Sequence, residues 1–422
     1  MANLKEYKLG NIANIVVSNV DKKTTPNQKT VKLCNFVDVY YNWAITKSNY
    51  DSFMTATASD EEISKFSLKK GQVAFTKDSE TRDDIGIPAY IAEDFKDVVL
   101  GYHTALATPN ENIVTGEYLN AFMHSSYIQK YFELNATGSG MRYTLSQQTL
   151  HDIPILAPDL DAQHKIGSLL SKIDRKISIN REINRNLEEL AKQIYDYWFV
   201  QFDFPNEEGK PYKSSGGKMV WNETLKREIP AGWKNGVLSN IAYITMGQSP
   251  EGSSYNEDGI GTIFYQGSTD FGIRFPNVRM YTTKPTRFAK IGDILMSVRA
   301  PVGAMNIANS DCCIGRGLSA MNSKIGSITH LYYTMDYFRH TFENKNAVGT
   351  TFGSITKDEL YNLPVVIPSK EVISAFNVKT IYIFNQQLST SKEIQELTAL
   401  RDSLLPLLMN GQVTLNSCLS HD

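Results

Sequence analysis

Two arginines lie where a guanidinium can be presented on a turn. Arg299 sits in Ser297-Val298-Arg299-Ala300-Pro301-Val302-Gly303 and Arg316 in Gly315-Arg316-Gly317-Leu318, each after a strand-like apolar run. A guanidinium fork matches guanine O6 and N7, or a phosphate, in bidentate fashion. Gln248, Tyr265 and Gln266 carry groups that can pair with an adenine edge. The backbone N–H groups and hydroxyls of Gly349-Thr350-Thr351 suit a phosphate oxygen. In the first half of the chain the corresponding candidates are Lys77, Ser79, Thr81, Arg82, Arg142 and Tyr143, with His103 the weakest. Each has a plain alternative: a surface arginine paired with a carboxylate, a solvated loop amide, or a simple turn.

Catalytic patterns are missing. An adenine methyltransferase needs a short loop with two adjacent prolines to hold the flipped base, and the chain has no adjacent proline pair. It has no phosphate-binding G-x4-G-K-[ST] loop and no H-E-x-x-H or His/Cys cluster for a metal. Asp83-Asp84 lacks the E-x-K strand that would complete a nuclease site. These residue types therefore point to binding without chemistry.

Composition sets the frame. With 422 residues the chain exceeds one ordinary core, and two domains of about 150 residues plus connectors are expected. Hydrophobic content of 41% and charged content of 21% describe a soluble globular protein. No apolar run reaches the ~18 residues of a membrane span, and the start lacks a secretory pattern. The four cysteines, Cys34, Cys312, Cys313 and Cys418, show no C-x-x-C spacing. A cytoplasmic protein is expected. Net charge is −2, and residues 1–158 hold 15 Lys+Arg against 18 Asp+Glu, residues 230–368 12 against 10. DNA binding then needs a local basic groove, or a partner that neutralises phosphates.

The candidates must be held by elements that occur twice. Leu145-Ser146, Leu150, Ile153-Pro154-Ile155 and Pro158 match Ile355-Thr356, Leu360, Leu363-Pro364-Val365 and Pro368 at a constant offset of 210. Ser146 and Thr356 suit a helix N-cap, and each proline opens an extended segment. Upstream, Leu9, Ile12, Ala13 and Ile15 fall against Leu238, Ile241, Ala242 and Ile244 at an offset of 229. Lys69-x-Gly71-x-Val73 falls against Lys290-x-Gly292-x-Ile294 at 221. The offset drops by 19, so the first copy carries that many extra residues, mostly in loops.

After each proline motif runs a long helical pattern with steps of 4 and 3. The first seam includes Ile166, Leu170, Ile173, Ile177, Asn180, Asn184, Leu187, Ala191, Ile194 and Trp198. The second includes Phe376, Thr380, Ile383, Gln387, Thr390, Ile394, Leu397, Arg401, Leu404 and Leu408. These are heptad seams with polar residues near the middle, and about 35 helical residues span roughly 50 Å. Two matched helices are expected to pack on each other, with Asn180 or Asn184 fixing register; the alternative is a helix lying on its own domain.

The fold class is α+β: two similar mixed α/β domains joined by two long coiled-coil helices, a pseudo-two-fold repeat. Expected boundaries are a first domain at 1–158, a central helix at 159–199, a connector at 200–229, a second domain at 230–368, a C-terminal helix at 369–411 and a tail at 412–422.

The string Trp198-Phe199-Val200-Gln201-Phe202-Asp203-Phe204-Pro205, continuing through Gly209-Lys210-Pro211-Tyr212 to Ile229-Pro230-x-Gly232-Trp233, resembles the central region of type I restriction–modification specificity subunits. Leu404-Leu405-Pro406-Leu407-Leu408-Met409-Asn410-Gly411 is similar to the second helix end of that family. Met246-Gly247-Gln248-Ser249-Pro250 and the Arg299 and Arg316 motifs look like family motifs, and so does the segment from Gly349 to Thr356. The first domain departs from them: Lys77-Asp78-Ser79-Glu80-Thr81-Arg82 stands where Val298-Arg299 would be, and His103 falls near Gly317. The resemblance covers essentially the whole chain. It implies a non-catalytic subunit whose domains each read half of a split double-stranded DNA target, while the two helices form an antiparallel coiled coil that sets the spacer. It also implies two bound methyltransferase subunits and, through them, restriction–translocation subunits. No cofactor is expected on this chain; S-adenosylmethionine, ATP and Mg would reside on the partners. The alternatives are the recognition part of a single-chain restriction–methyltransferase system, or a scaffold paralogue that does not read DNA.

Overall fold

The computed structural model describes residues 4–140, 142–272, 274–339, 342 and 353–413. The chain forms two compact units: residues 1–179 with 393–422, and residues 180–392.

In the first unit, strands Ala13–Val17, Thr104–Pro109, Val73–Thr76, Pro88–Ile91 and Ala44–Ile45 form a five-stranded sheet in that order. Successive side chains of a strand point to opposite faces, and each face buries its own core. Val73, Phe75, Ala105 and Ala107 pack against Tyr118, Phe122 and Phe132 from the helices. Ala74, Leu106, Ala89 and Ile91 pack on the other side against Val31, Leu33 and Val99 of a three-stranded sheet. Both faces are covered, so these strands read as continuous apolar runs.

The second unit repeats this plan. Strands Ala242–Met246, Leu318–Ser323, Ile294–Ser297 and Met305–Ile307 take the same order as their counterparts. Ile294, Met296 and Met321 face one core, and Leu295, Leu318 and Ala320 the other. The proline motifs behave as the sequence predicts. Ser146 accepts a hydrogen bond from Thr149 N and Thr356 from Glu359 N, each capping a five-residue helix. Pro154–Ala157 pairs antiparallel with Lys5–Lys8, and Pro364–Ile367 with Lys234–Val237. The registers agree residue for residue: Lys5 opposes Ala157 as Lys234 opposes Ile367.

The central helix runs Leu160–Tyr195 and continues as a π-helical turn, Asp196–Val200; the C-terminal helix runs Lys370–Met409. Burial follows the predicted seam. Ile166 and Leu170 join Leu405 and Leu408 in the core of the first unit, and Ala191, Trp198, Phe199 and Phe376 cluster in the second. Within the second unit the helices run antiparallel. Asn184 hydrogen-bonds Thr390 and, through Nδ2, Ser391 Oγ at 2.8 Å, while Gln387 Nε2 donates to Glu188 Oε2 at 2.9 Å. Lower numbers on one helix therefore meet higher numbers on the other. Asn184 provides the cross-helix polar contact expected to fix register, and Asn180 is buried.

The connector is folded against the second unit. Asp203 accepts from Ser214 N and Oγ at 2.7 and 2.6 Å, and Phe204 stacks between Tyr212 and Trp233. Gly216 takes φ +85°, and Gly217 N closes the turn onto Tyr212 O at 2.8 Å. Among the described residues, no helix is long and apolar enough to cross a membrane, and Cys34, Cys312 and Cys313 are free and buried. Cys418 lies outside the described residues.

Candidate nucleic-acid interface

The first-unit candidates come together on one small sheet. Strands Thr137–Ser139, Arg142–Thr144 and Asp78–Ser79 pair in that order, with Ser79 opposite Tyr143 and Asp78 opposite Thr144. Glycine makes the hairpin possible, since Gly138 and Gly140 take φ of +134° and +73°. Arg142 is exposed. The Arg82 guanidinium lies 5.1 Å over the Tyr143 ring, and Thr81 N donates to Ser79 Oγ at 3.3 Å. Lys77 is tied down: its Nζ donates to Asp78 Oδ1 at 2.9 Å and Thr144 Oγ1 at 2.7 Å. The second Asp78 oxygen meets His103 Nδ1 at 2.5 Å. Burial pushes the Asp78 carboxyl up, but hydrogen bonds from Thr144, His103 and Lys77 outweigh it and hold the group below the usual carboxylate range. The group is an anion with its partners in place.

In the second unit, Gln248, Gln266, Arg299 and Arg316 are exposed and converge around the Gly315–Gly317 turn. Gln248 N donates to Ile314 O at 3.0 Å, Gly315 N to Tyr265 O at 2.8 Å, and Arg316 N to Ser249 Oγ at 3.3 Å. Val298 N donates to Gly317 O at 2.9 Å, which sets Arg299 beside that turn. A Cβ at Gly317 would meet Gln266 O at 2.6 Å, so the close approach of the two loops requires glycine there. Tyr265 is a correction. It is fully buried among Leu295, Cys312 and Ile314, its hydroxyl has no partner, and it cannot touch a base. Thr350 and Thr351 lie outside the described residues.

Backbone hydrogen bonds align the two sites. Lys77 N donates to His103 O at 2.8 Å as Val298 N does to Gly317 O, and Leu145 N donates to Lys77 O at 2.9 Å as Ile355 N does to Val298 O. Arg299 bridges Ser354 as Asp78 pairs with Thr144. The same turns in the same folds thus carry different side chains: Asp78 against Arg299, Tyr102 against Arg316, His103 against Gly317.

A family model for the type I restriction modification DNA specificity domain matches residues 1–189 and 230–399, most of the chain and both copies of the repeat. The chain belongs to the type I restriction–modification specificity family. Among its relatives is the MjaX type I restriction enzyme specificity subunit of Methanocaldococcus jannaschii, 30% identical over 358 residues, 84% of this chain and 81% of that one. The HindI specificity subunit of Haemophilus influenzae is 26% identical over 483 residues, covering 98% of this chain and 100% of the relative. The solved S subunit of a type I restriction–modification system from M. genitalium shares the fold, with a TM-score of 0.60 at 15% identity over 96% of each chain.

Within this specificity subunit, sequence reasoning missed the residues that bind each domain to the helices. In the second unit the Arg274 guanidinium is buried, ion-paired with Glu188 of the central helix, and lies 4.6 Å over Tyr332 and 5.6 Å over Phe384. In the first, Arg401 of the C-terminal helix lies 4.9 Å over Trp43 and 3.7 Å from Asp174. Trp43 and Arg274 occupy equivalent positions: Tyr90 N donates to Trp43 O at 2.9 Å and Ile307 N to Arg274 O at 2.8 Å. One domain offers the ring and takes the cation from a helix; the other offers the cation.

Proposed function

We propose that each unit of this specificity subunit reads one half of a split target on double-stranded DNA, while the paired helices hold the two halves of the target at a fixed spacing. The observation that carries this reading is the alignment of the two loop clusters. One fold, built twice, holds different polar side chains at matched turns, as two readers of different half-sites would. Base contacts specify and the scaffold positions.

The subunit has no catalysis of its own in this reading. Methyltransferase subunits, two in number, dock on the helices, and restriction–translocation subunits join through them. S-adenosylmethionine, ATP and Mg belong to those partners. Exposed apolar side chains on the helices support a docking role: Ile183, Leu190, Val378 and Tyr382 in the second unit, Ile179, Leu400 and Leu407 in the first. The net charge of −2 fits a chain that binds DNA tightly only once a partner contributes cationic surface. The test is to express the chain with its methyltransferase partner and map methylated bases. A discontinuous motif with a spacer of constant length supports the reading; a continuous motif, or methylation by the isolated chain, contradicts it.

A further inference from the structure

Where the second unit presents Arg299 beside a glycine turn, the first presents a histidine held by a carboxylate. His103 stands at the position of Gly317 and has φ +68°. Residues with a Cβ adopt this left-handed region uncommonly, and such conformations persist where the surroundings enforce them, often at functional sites. Asp78 Oδ2 holds Nδ1 at 2.5 Å, and the ring lies 4.0 Å from that of Tyr102. Asp78 is itself held by Lys77 at 2.9 Å, and Lys77 by Thr144 at 2.7 Å. An ionised carboxylate can only accept, so Nδ1 carries the proton, and in the neutral form of the ring the remaining lone pair is on Nε2. The side chain is 30% exposed, beside the same sheet that carries Ser79, Arg142 and Tyr143.

We propose that His103 is a base-reading residue of the first domain and that Asp78 is its positioning residue. The inference rests on the DNA reading proposed above and deepens it. Nε2 accepts from an exocyclic amino group, adenine N6 or cytosine N4, in the major groove. Asp78 fixes the ring's tautomer and orientation, and Lys77 offsets the carboxylate charge near the phosphates.

The test uses the chain co-expressed with its methyltransferase partner, on a plasmid library randomised across the methylated motif. His103→Gly relieves the left-handed backbone, so its melting temperature is expected to equal or exceed that of the parent. Its discrimination at one or more base pairs of a single half-site should fall about tenfold, the scale of one lost base contact. The other half-site should be unchanged. Asp78→Asn should relax the same base pairs, and Arg299→Ala should act on the opposite half-site. Full discrimination retained by His103→Gly overturns the proposal. So does uniform weakening across all library members, the signature of a phosphate contact. If the glycine variant is inactive, His103→Asn decides, because asparagine tolerates this φ but its amide reaches only as far as Nδ1 and places no acceptor where Nε2 lies. An altered or relaxed base at one half-site then supports the proposal, and an unchanged motif overturns it. A parent complex with no split motif would instead remove the DNA reading itself.

Discussion

Replacing Glu188 with alanine isolates the cation that joins the second domain to the helices. Arg274 is 7% exposed, its Nε is buried without a partner, and Glu188 is its one carboxylate contact among the described residues. The aromatic faces of Tyr332 and Phe384 remain after the substitution, but they replace only part of a full charge. Breaking a buried pair by deleting one partner costs about 3–5 kcal/mol. The Glu188 side chain is 37% exposed, so solvent screens the pair and about 2–3 kcal/mol is the better expectation. For a unit of this size each kcal/mol moves the melting temperature by roughly 2–4 °C, so calorimetry of the full chain should register a drop of about 4–12 °C. The double variant Arg274→Met with Glu188→Ala removes both charges and should recover most of that loss, which a double-mutant cycle would express as strong coupling. An unmoved melting temperature in Glu188→Ala, or a double variant less stable than either single one, would refute the account of this anchor.

Tyr265→Phe removes a buried hydroxyl with no partner and should be neutral or stabilising by up to about 1–3 kcal/mol, with the methylated motif unchanged; a changed motif would restore Tyr265 to the interface. Burial, with the Arg401 charge, depresses His124 to about 4, and burial depresses His330 to about 3. The unfolded chain therefore binds these protons first, so stability should fall as pH drops below about 6.5, by up to about 1.4 kcal/mol per unit for each histidine; equal urea midpoints at pH 7.5 and 5.5 would contradict this. Inserting one heptad into both helices adds roughly 10 Å, about three base pairs, and should lengthen the spacer while preserving both half-sites; methylation mapping that finds the original spacer would refute the ruler.

Much of the architecture was legible because it is periodic or repeated. The seam from Ile166 to Trp198 and its partner from Phe376 to Leu408 follow from apolar spacing alone, and the proline motifs fall at one offset. The failures have physical causes. Tyr265 lies in a strand paired parallel to Cys312–Ile314, where it and its neighbour Phe264, on opposite faces, are both buried, so alternation gives no signal. The offset of 221 sets Asp78 against Arg299 in sequence, but opposite charges at one position look unrelated, and the backbone bonds are what make the two turns equivalent. Trp43 and Arg274 are matched the same way, at an offset that few shared residue types carry. His103 is the weakest candidate by sequence because its left-handed backbone and its contact with Asp78 are visible only in three dimensions.

The claim that two independent readers share one chain is tested most directly by a domain exchange. Residues 1–158 would be replaced by the equivalent domain of a relative with a different target, and the methylated motif mapped in cells carrying the partner methyltransferase. The account predicts that one half-site changes while the other half-site and the spacer stay as they were. If both half-sites change together, or neither does, the two-reader account is wrong.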